Sequence, residues 1–147
     1  MFKNILVPTD GSDLAANAVE QAIHFAKETG AKITAMTVTE PFPPHLGSVV
    51  SNQLEYAPIE YIKHAEAYAD TVLGAVSAAA NSAGVACEVL HVEHGQIYQA
   101  IIDAADARKC DLIVMASHGR RGVSAVVLGS ETVKVLTHSK IPVLVYR

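Results

Sequence analysis

The chain has 147 residues, half of them hydrophobic, and a formal net charge of −4 at neutral pH. Its length suits a single domain, residues 1–147, with one buried core, and its acidic balance gives no reason to expect nonspecific binding to nucleic acids or membranes. Cys87 and Cys110 make neither a disulfide framework nor a Cys-x-x-Cys pair, and no signal peptide or membrane-length apolar run is visible, so we expect a cytoplasmic protein.

Apolar runs alternate with turn signals along the chain, in the rhythm of a βα protein. We predict strands over 2–8, 32–39, 87–92, 111–116 and 143–146, and helices over 14–29, 59–83, 96–109 and from residue 130 onward. Ser12 is placed to cap the first helix and Gly30 to end it. The segment 40–58 holds four of the six prolines, which predicts a long loop. Alternating strands and helices imply right-handed crossovers and a parallel sheet covered by helices on both faces.

The stretch 112–132 carries the strongest functional signal. A buried-strand run leads into a polar, glycine-containing turn, and Gly129 and Ser130 follow at a predicted helix start that Ser130 can cap. Backbone N–H groups at such a junction lack internal partners, the helix adds a partial positive charge, and Arg120 and Arg121 add full ones. The junction therefore suits a phosphate chain, although its spacing is neither that of a P-loop nor that of a dinucleotide fingerprint.

Polar residues near the strand ends have two interpretations each. Asp10, after the first strand, either contacts a nucleotide through its ribose or a phosphate-bound Mg²⁺, or caps the turn that follows. His118 either bonds a phosphate or is a solvated spacer, and we expect the neighbouring side chains of Ser117 and His118 to diverge, which disfavours a nucleophile–base pair. Arg120 and Arg121 either clamp a terminal phosphate or lie in solvent.

A second group, Cys87, His91 and His94, resembles a set of metal ligands. Alternation places Cys87 and His91 on the same face of the third predicted strand, whereas His94 lies past its end. A tetrahedral zinc site needs four converging ligands, and the spacing secures no fourth one. We therefore favour a histidine-bearing strand end over a zinc site.

The stretch 112–132 also resembles the nucleotide-binding motif of the universal stress protein family, written G-x2-G-x9-G-[S/T]. The second and third glycines of the motif fall on Gly119 and Gly129 and its hydroxyl residue on Ser130, whereas Ala116 stands at the first glycine position. The opening Ile-Leu-Val-Pro-Thr-Asp-Gly-Ser and the closing Ile-Pro-Val-Leu-Val are also typical of that family. The resemblance implies a flavodoxin-like, Rossmann-like α/β fold with a doubly wound five-stranded parallel sheet in the order 3-2-1-4-5.

That strand order puts the ends of the first and fourth strands at the point where open parallel sheets bind ligands. The resemblance implies an adenine nucleotide there, ATP or else AMP or ADP, together with Mg²⁺. It implies nucleoside contacts from Pro8, Thr9 and Asp10, with Val38 meeting adenine through its backbone. It implies phosphate contacts from Gly119, Gly129, Ser130 and Glu131, the last through its backbone N–H alone. The remaining candidate nucleotide contacts are Ala116, His118 and Arg120, and Asp10 is the candidate metal ligand.

The predicted function is a nucleotide-gated stress-response or signalling module, in which bound ligand orders the loop after the fourth strand. That loop contains no lysine and no evident water-positioning residue, so we expect no enzyme activity beyond slow ATP hydrolysis. We also predict an unnamed protein partner and a homodimer through the edge strand that runs from Ile141 to Tyr146. The alternative is a dimeric stress-response scaffold of the same fold with no physiological nucleotide, which Ala116 favours.

Overall fold

The computed structural model describes residues 1–43, 57–119 and 127–147. Strands and helices alternate along these ranges as β1 (Asn4–Pro8), α1 (Asp13–Thr29), β2 (Lys32–Thr39), α2 (Ala57–Ser82), β3 (Cys87–Glu93), α3 (Ile97–Ala107), β4 (Leu112–Ala116), α4 (Ser130–His138) and β5 (Val143–Tyr146). The strands form a parallel sheet in the order β3-β2-β1-β4-β5. This arrangement confirms the predicted doubly wound α/β fold and its strand order.

Both faces of the sheet are buried because alternate side chains of each strand enter two separate cores. On one face, Ile5 and Val7 of β1 pack in a cluster that includes residues of α1 and α2. On the other face, Leu6 of β1 and Met36 of β2 pack in a cluster that includes residues of α3 and α4. Burial on both sides explains why the central strands read as continuous apolar runs in the sequence.

The helix ends agree with the predicted caps at α1 but not at α4. The Ala15 N–H donates to Ser12 Oγ over 3.2 Å, and Gly30 ends α1 in the left-handed conformation at φ 69°. At α4, Gly129 is the N-cap residue, no side chain caps the helix, and Ser130 is its first helical residue. The prediction that Ser130 caps α4 is therefore wrong, because the extended backbone already ends at Gly129 (φ −61°, ψ 152°).

Other helix boundaries differ from the predictions by a few residues. The helix α2 begins at Ala57, so Pro58 lies in its first turn, where a missing N–H removes no helical hydrogen bond. Residues 57 and 58 of the predicted loop 40–58 thus belong to α2. Residues 44–56 of that loop lie outside the described part of the chain. The helix α3 ends at Ala107, before the predicted Lys109, whose φ of 53° is incompatible with a continuing helix.

The last strand, β5, runs over Val143–Tyr146 and confirms the predicted strand 143–146. The edge segment predicted to form the dimer begins two residues earlier, at Ile141. The preceding Pro142 has no N–H to give to the sheet, but its carbonyl accepts the Ile113 N–H over 2.9 Å. Since β5 stands at the end of the strand order, it is an edge strand, as the sequence predicted. None of the described helices is long and apolar enough to cross a membrane.

Candidate functional site

A cavity of about 650 Å³ lies beyond the carboxyl ends of β1, β2 and β4, where the strand order reverses. The helices α2 and α3 and the first turn of α4 contribute its other walls. Arg120 and Arg121 lie outside the described residues, and all other predicted nucleotide contacts line this cavity: Pro8, Thr9, Asp10, Val38, Ala116, His118, Gly119, Gly129, Ser130 and Glu131. Residues that are more than 100 positions apart in the chain are thus brought to one place by the parallel sheet.

The loop after β1 holds Asp10 through a tight turn. The Ser12 N–H donates to Asp10 Oδ1 over 3.0 Å, which confirms that this carboxylate caps the turn. The Gly11 N–H donates to Thr9 Oγ1 over 3.2 Å, and Gly11 has the left-handed φ of 75°. A Cβ at Gly11 would also lie 2.8 Å from Val72 Cγ2 of α2, so glycine is required here. The turn therefore fixes a carboxylate that also borders the cavity.

Gly119 brings the loop after β4 against this same carboxylate. A Cβ on Gly119 would lie 2.8 Å from Asp10 Oδ2. The absence of a side chain therefore lets the two loops meet across the point where strand order reverses. The second glycine of the motif has a physical role in setting the position of Asp10.

The first turn of α4 is anchored to the end of β4 by a backbone and a side-chain hydrogen bond. The Gly129 N–H donates to the Ser117 carbonyl over 2.8 Å. The single proton of the buried Thr132 hydroxyl is shared between the carbonyls of Ala116 and Ser117, at 3.1 and 3.2 Å. A Cβ on Gly129 would lie 3.1 Å from the Ser117 carbonyl oxygen, so any side chain there would have to push this carbonyl aside by a few tenths of an ångström. The anchored helix directs the positive end of its dipole and its first backbone N–H groups at the cavity.

Glu131 borders the cavity, but its carboxylate has partners elsewhere. Its Oε2 accepts the Tyr98 N–H of α3 over 2.9 Å, and its Oε1 lies 3.3 Å from Lys134 Nζ. The carboxylate thus satisfies an unpaired N–H in the first turn of α3, where no side chain acts as the N-cap. Its negative charge is also held close to a positive one, which reduces its repulsion of an anion at the start of α4.

The side chains of Ser117 and His118 meet, contrary to the prediction that they diverge. Ser117 Oγ lies 3.1 Å from His118 Nδ1. The strand β4 ends at Ala116, so the strict alternation of side chains no longer applies to these two residues. Ser117 is only 4% exposed, so its hydroxyl is not presented to a substrate. The pair orients the imidazole of His118 at the cavity wall, and the burial of Ser117 argues against a nucleophile there.

Ala116, which replaces the first glycine of the motif, packs against α1. It forms a small buried cluster with Ala15 and Ala18. The methyl group therefore has a partner surface on the α1 side of the sheet, the same side as Val114. An alanine at this position is accommodated by packing between β4 and α1.

Comparison with known proteins identifies the family of this chain. A family model described as the universal stress protein family matches residues 1–147. The chain belongs to the universal stress protein family. A universal stress protein of Methanocaldococcus jannaschii is 33% identical to this member over 153 residues, which cover 100% of this chain and 83% of the relative.

Solved structures of universal stress proteins share the fold. The protein UspA from Lactobacillus plantarum superposes with a TM-score of 0.81 at 26% identity, covering 99% of this chain and 98% of that one. A universal stress protein crystallised in complex with cAMP superposes with a TM-score of 0.68 at 26% identity, covering 99% of this chain and 97% of that one.

His91 and His94, two of the candidate metal ligands around β3, have other hydrogen-bond partners in this family member. His91 Nε2 lies 2.7 Å from Thr39 Oγ1, and His94 Nδ1 accepts the Gln96 N–H over 2.8 Å. Burial raises the pKa of the Cys87 thiol, which disfavours the thiolate that zinc requires. Within 1–43, 57–119 and 127–147, no three metal-ligating side chains come together. Asp10, the predicted candidate metal ligand, has its carboxylate on the cavity.

Sequence patterns missed the walls supplied by α2 and α3. The α2 residues on the cavity follow the spacing of one helical face. A signal was therefore present, but such spacing more often marks a core face. The missed lining residues of these two helices are Tyr61, His64, Ala65, Tyr68, Ile97 and Ile101.

Proposed function

We propose that this universal stress protein binds an adenine nucleotide, ATP with Mg²⁺ and also ADP or AMP, in the cavity at the ends of β1, β2 and β4. One observation carries the proposal: the residues that sequence and family resemblance pointed to line a single cavity at the reversal of strand order. The volume of about 650 Å³ lies in the range of small-molecule sites. The relative crystallised with cAMP supports an adenine nucleotide as the ligand class.

The two ends of the cavity differ in chemistry, which orients the ligand in this proposal. The phosphates lie at the start of α4, against Gly129 and Ser130, where backbone N–H groups and the helix dipole favour anions. The base lies between the end of β2, at Val38, and the apolar side chains Ile97 and Ile101 of α3. Asp10 lies between these two ends. Its carboxylate would accept a ribose hydroxyl or hold Mg²⁺, which prefers oxygen ligands.

Calorimetry with a substitution at the first position of α4 tests this proposal. Ser130→Pro removes one backbone N–H at a position where helices accept proline, and the extended ψ of 152° at Gly129 suits a residue before proline. We expect this variant to keep its melting temperature and to lose at least about tenfold in ATP affinity, since hydrogen bonds to charged groups are strong. Ser130→Ala, which keeps the N–H, is the matched control and should bind within about threefold of wild type.

The proposal is contradicted if wild-type protein purifies without bound nucleotide and shows no heat of binding with millimolar ATP and Mg²⁺. Gly129→Val is a less selective probe, although it should abolish binding. A side chain at this position would displace the Ser117 carbonyl as well as a phosphate. A loss of binding in that variant therefore has two physical causes.

We expect hydrolysis to be slow in this module. Among the described residues that line the cavity there is no lysine or arginine to stabilise the charge of phosphoryl transfer. The bound nucleotide instead orders the loop after β4 and so changes affinity for a protein partner. A turnover of about one per second or faster that disappears in His118→Ala would contradict this expectation.

The proposed module also forms a homodimer through β5. An apolar edge strand left unpaired favours association, and Leu144 on this edge is 42% exposed. The variant Leu144→Lys should be monomeric in light scattering, while Val89→Lys on the opposite edge, where Val89 is 48% exposed, should remain dimeric. Paired charges at Val143 and Val145 would be less informative, because Val143 packs against the core. A monomeric wild type at micromolar concentration would contradict the dimer.

The alternative function, a dimeric scaffold without physiological nucleotide, depends on Ala116. A methyl group that fills the ligand space would support it, and Ala116 does line the cavity. Ala116 is nevertheless buried against Ala15 and Ala18 of α1, so it takes up little of that space. This burial favours the nucleotide-binding proposal. Calorimetry on wild type with ATP and Mg²⁺ separates the two functions directly.

A further inference from the structure

The helix α2 is held over the cavity by two tyrosines that are two helical turns apart. The Tyr61 hydroxyl donates to the Glu40 carbonyl, just after β2, over 2.7 Å. The Tyr68 hydroxyl donates to the Asp10 carbonyl, just after β1. Each hydroxyl thus ties the same face of α2 to the loop that follows one of the two adjacent strands.

His64 lies between these two attachments on the same helical face. It is three residues after Tyr61 and four before Tyr68, so all three side chains point to one side of α2. All three line the cavity. Within the described part of the chain the two tyrosine hydroxyls have backbone acceptors, whereas no hydrogen bond involves the His64 imidazole. His64 is therefore the polar group of this wall that is available to a ligand.

The position of the attachments indicates which part of a ligand His64 meets. Glu40 and Asp10 follow β2 and β1, whereas the anion-favouring start of α4 is attached to the end of β4. In the sheet, β2 lies on the opposite side of β1 from β4. The face of α2 that carries His64 is thus on the side of the cavity away from the phosphate end.

We propose that His64 contacts the nucleoside of the bound nucleotide, and that Tyr61 and Tyr68 position it. This inference rests on the proposed nucleotide site and assigns a ligand contact to the wall formed by α2. An imidazole at this place can bond a ribose hydroxyl or a base nitrogen with one ring nitrogen. Such a contact is the same for every phosphorylation state of the ligand.

The test compares ATP, ADP and AMP by calorimetry in wild type and His64→Ala. We expect the variant to lose about three- to tenfold in affinity, as for one net hydrogen bond, and by the same factor for all three ligands. His24→Ala is the matched control: His24 is an exposed helical histidine of α1, 3.8 Å from Glu20, and does not line the cavity. It should bind all three ligands as wild type does, and both variants should keep the wild-type melting temperature.

If wild type binds the nucleotides, either of two results would overturn this inference and leave the proposed function intact. One is unchanged affinity in His64→Ala for all three ligands. The other is a loss that grows with the number of phosphates, since it would place His64 at the phosphate end. A wild type that binds none of the three ligands would instead remove the proposed function, and this inference with it.

Discussion

Polar groups lie at both ends of the central strands, but the two ends use them differently. At the amino end, Asn4 Nδ2 donates to the Arg108 carbonyl over 2.8 Å, and its Oδ1 accepts the Thr34 hydroxyl over 3.2 Å. The Asp111 carboxylate accepts the N–H groups of Lys3 and Asn4. These groups satisfy one another inside the protein. At the carboxyl end, polar groups with similar local bonds surround a cavity of about 650 Å³.

The comparison shows that polar residues at strand ends do not by themselves mark a binding site. The carboxyl end differs in two ways: it has a cavity, and no side chain caps the start of α4 that borders it. Substitutions at the amino end should therefore change stability without changing nucleotide affinity. Substitutions at the carboxyl end should change nucleotide affinity more than stability.

The largest effect is expected for Asn4→Ala at the amino end. Asn4 is 7% exposed, and its removal leaves the Thr34 hydroxyl and the Arg108 carbonyl without this partner. We expect the free energy of unfolding, measured by denaturant titration, to fall by about 2–3 kcal/mol. ATP affinity of the folded variant should equal that of wild type.

Asn17→Ala on the exposed side of α1 is the control for this change. Its free energy of unfolding should stay within about 0.5 kcal/mol of wild type. If Asn4→Ala altered ATP affinity while folded, the two ends of the sheet would be coupled, and the comparison would fail.

A smaller effect on stability is expected for Thr132→Val at the carboxyl end. The change keeps the shape but removes the hydroxyl that bonds the carbonyls of Ala116 and Ser117. We expect a loss of about 1 kcal/mol in the free energy of unfolding and a several-fold loss in ATP affinity, because the start of α4 is no longer fixed. Thr137→Val on the exposed side of α4 should leave ATP affinity unchanged. Equal affinities in both variants would show that this anchor does not shape the site.

The sequence predicted the fold well because its signals are local. Alternating apolar runs and turn residues located every strand and helix, while the strand order came from the family resemblance. The motif glycines indicated where the cavity lies because they mark close approaches, of Gly119 to Asp10 and of Gly129 to Ser117. These contacts bring the loops after β1 and β4 and the start of α4 together.

The missed features depend on tertiary structure. The tyrosines of α2 look like a core face in the sequence, and only the packed helix reveals that Tyr61 and Tyr68 bond the loops after β2 and β1. The contact of Ser117 with His118 was missed because the two side chains were expected to diverge as in a strand, although β4 ends at Ala116. The Thr132 anchor gives no local pattern, since its acceptors belong to β4 and the loop after it.

A double-mutant cycle between Gly119 and Asp10 sharpens the account of the carboxyl end. Gly119→Ala places a Cβ 2.8 Å from Asp10 Oδ2, which a side-chain rotation can relieve at little cost in stability. We expect Gly119→Ala and Asp10→Asn each to weaken binding of ATP with Mg²⁺ by about three- to tenfold, measured by calorimetry. Asparagine keeps an oxygen that can accept the Ser12 N–H, so the turn should persist. The double variant should lose no more than the stronger single one, since both changes act on one carboxylate. Additive losses would mean that Gly119 contacts the ligand independently.

The smallest effect concerns the Cys110 thiol, which is buried near the amino end of β4. Burial raises the pKa of Cys110 above its ordinary value of 9.0, although a hydrogen bond with Thr34 opposes this change. A thiol with a raised folded-state pKa ionises first in the unfolded chain. Its contribution to stability is therefore complete below pH 9.0 and is lost as the pH rises through the folded-state pKa. Between about pH 8 and 10, denaturant titrations should show a fall in the free energy of unfolding that is greater for wild type than for Cys110→Ala, by at most about 1 kcal/mol. Lysines and tyrosines also titrate in this range, but they contribute equally to both proteins. Equal falls in the free energy of unfolding for the two proteins would show that water reaches the thiol. If the two ends of the sheet are independent, saturating ATP should not change the difference between wild type and Cys110→Ala.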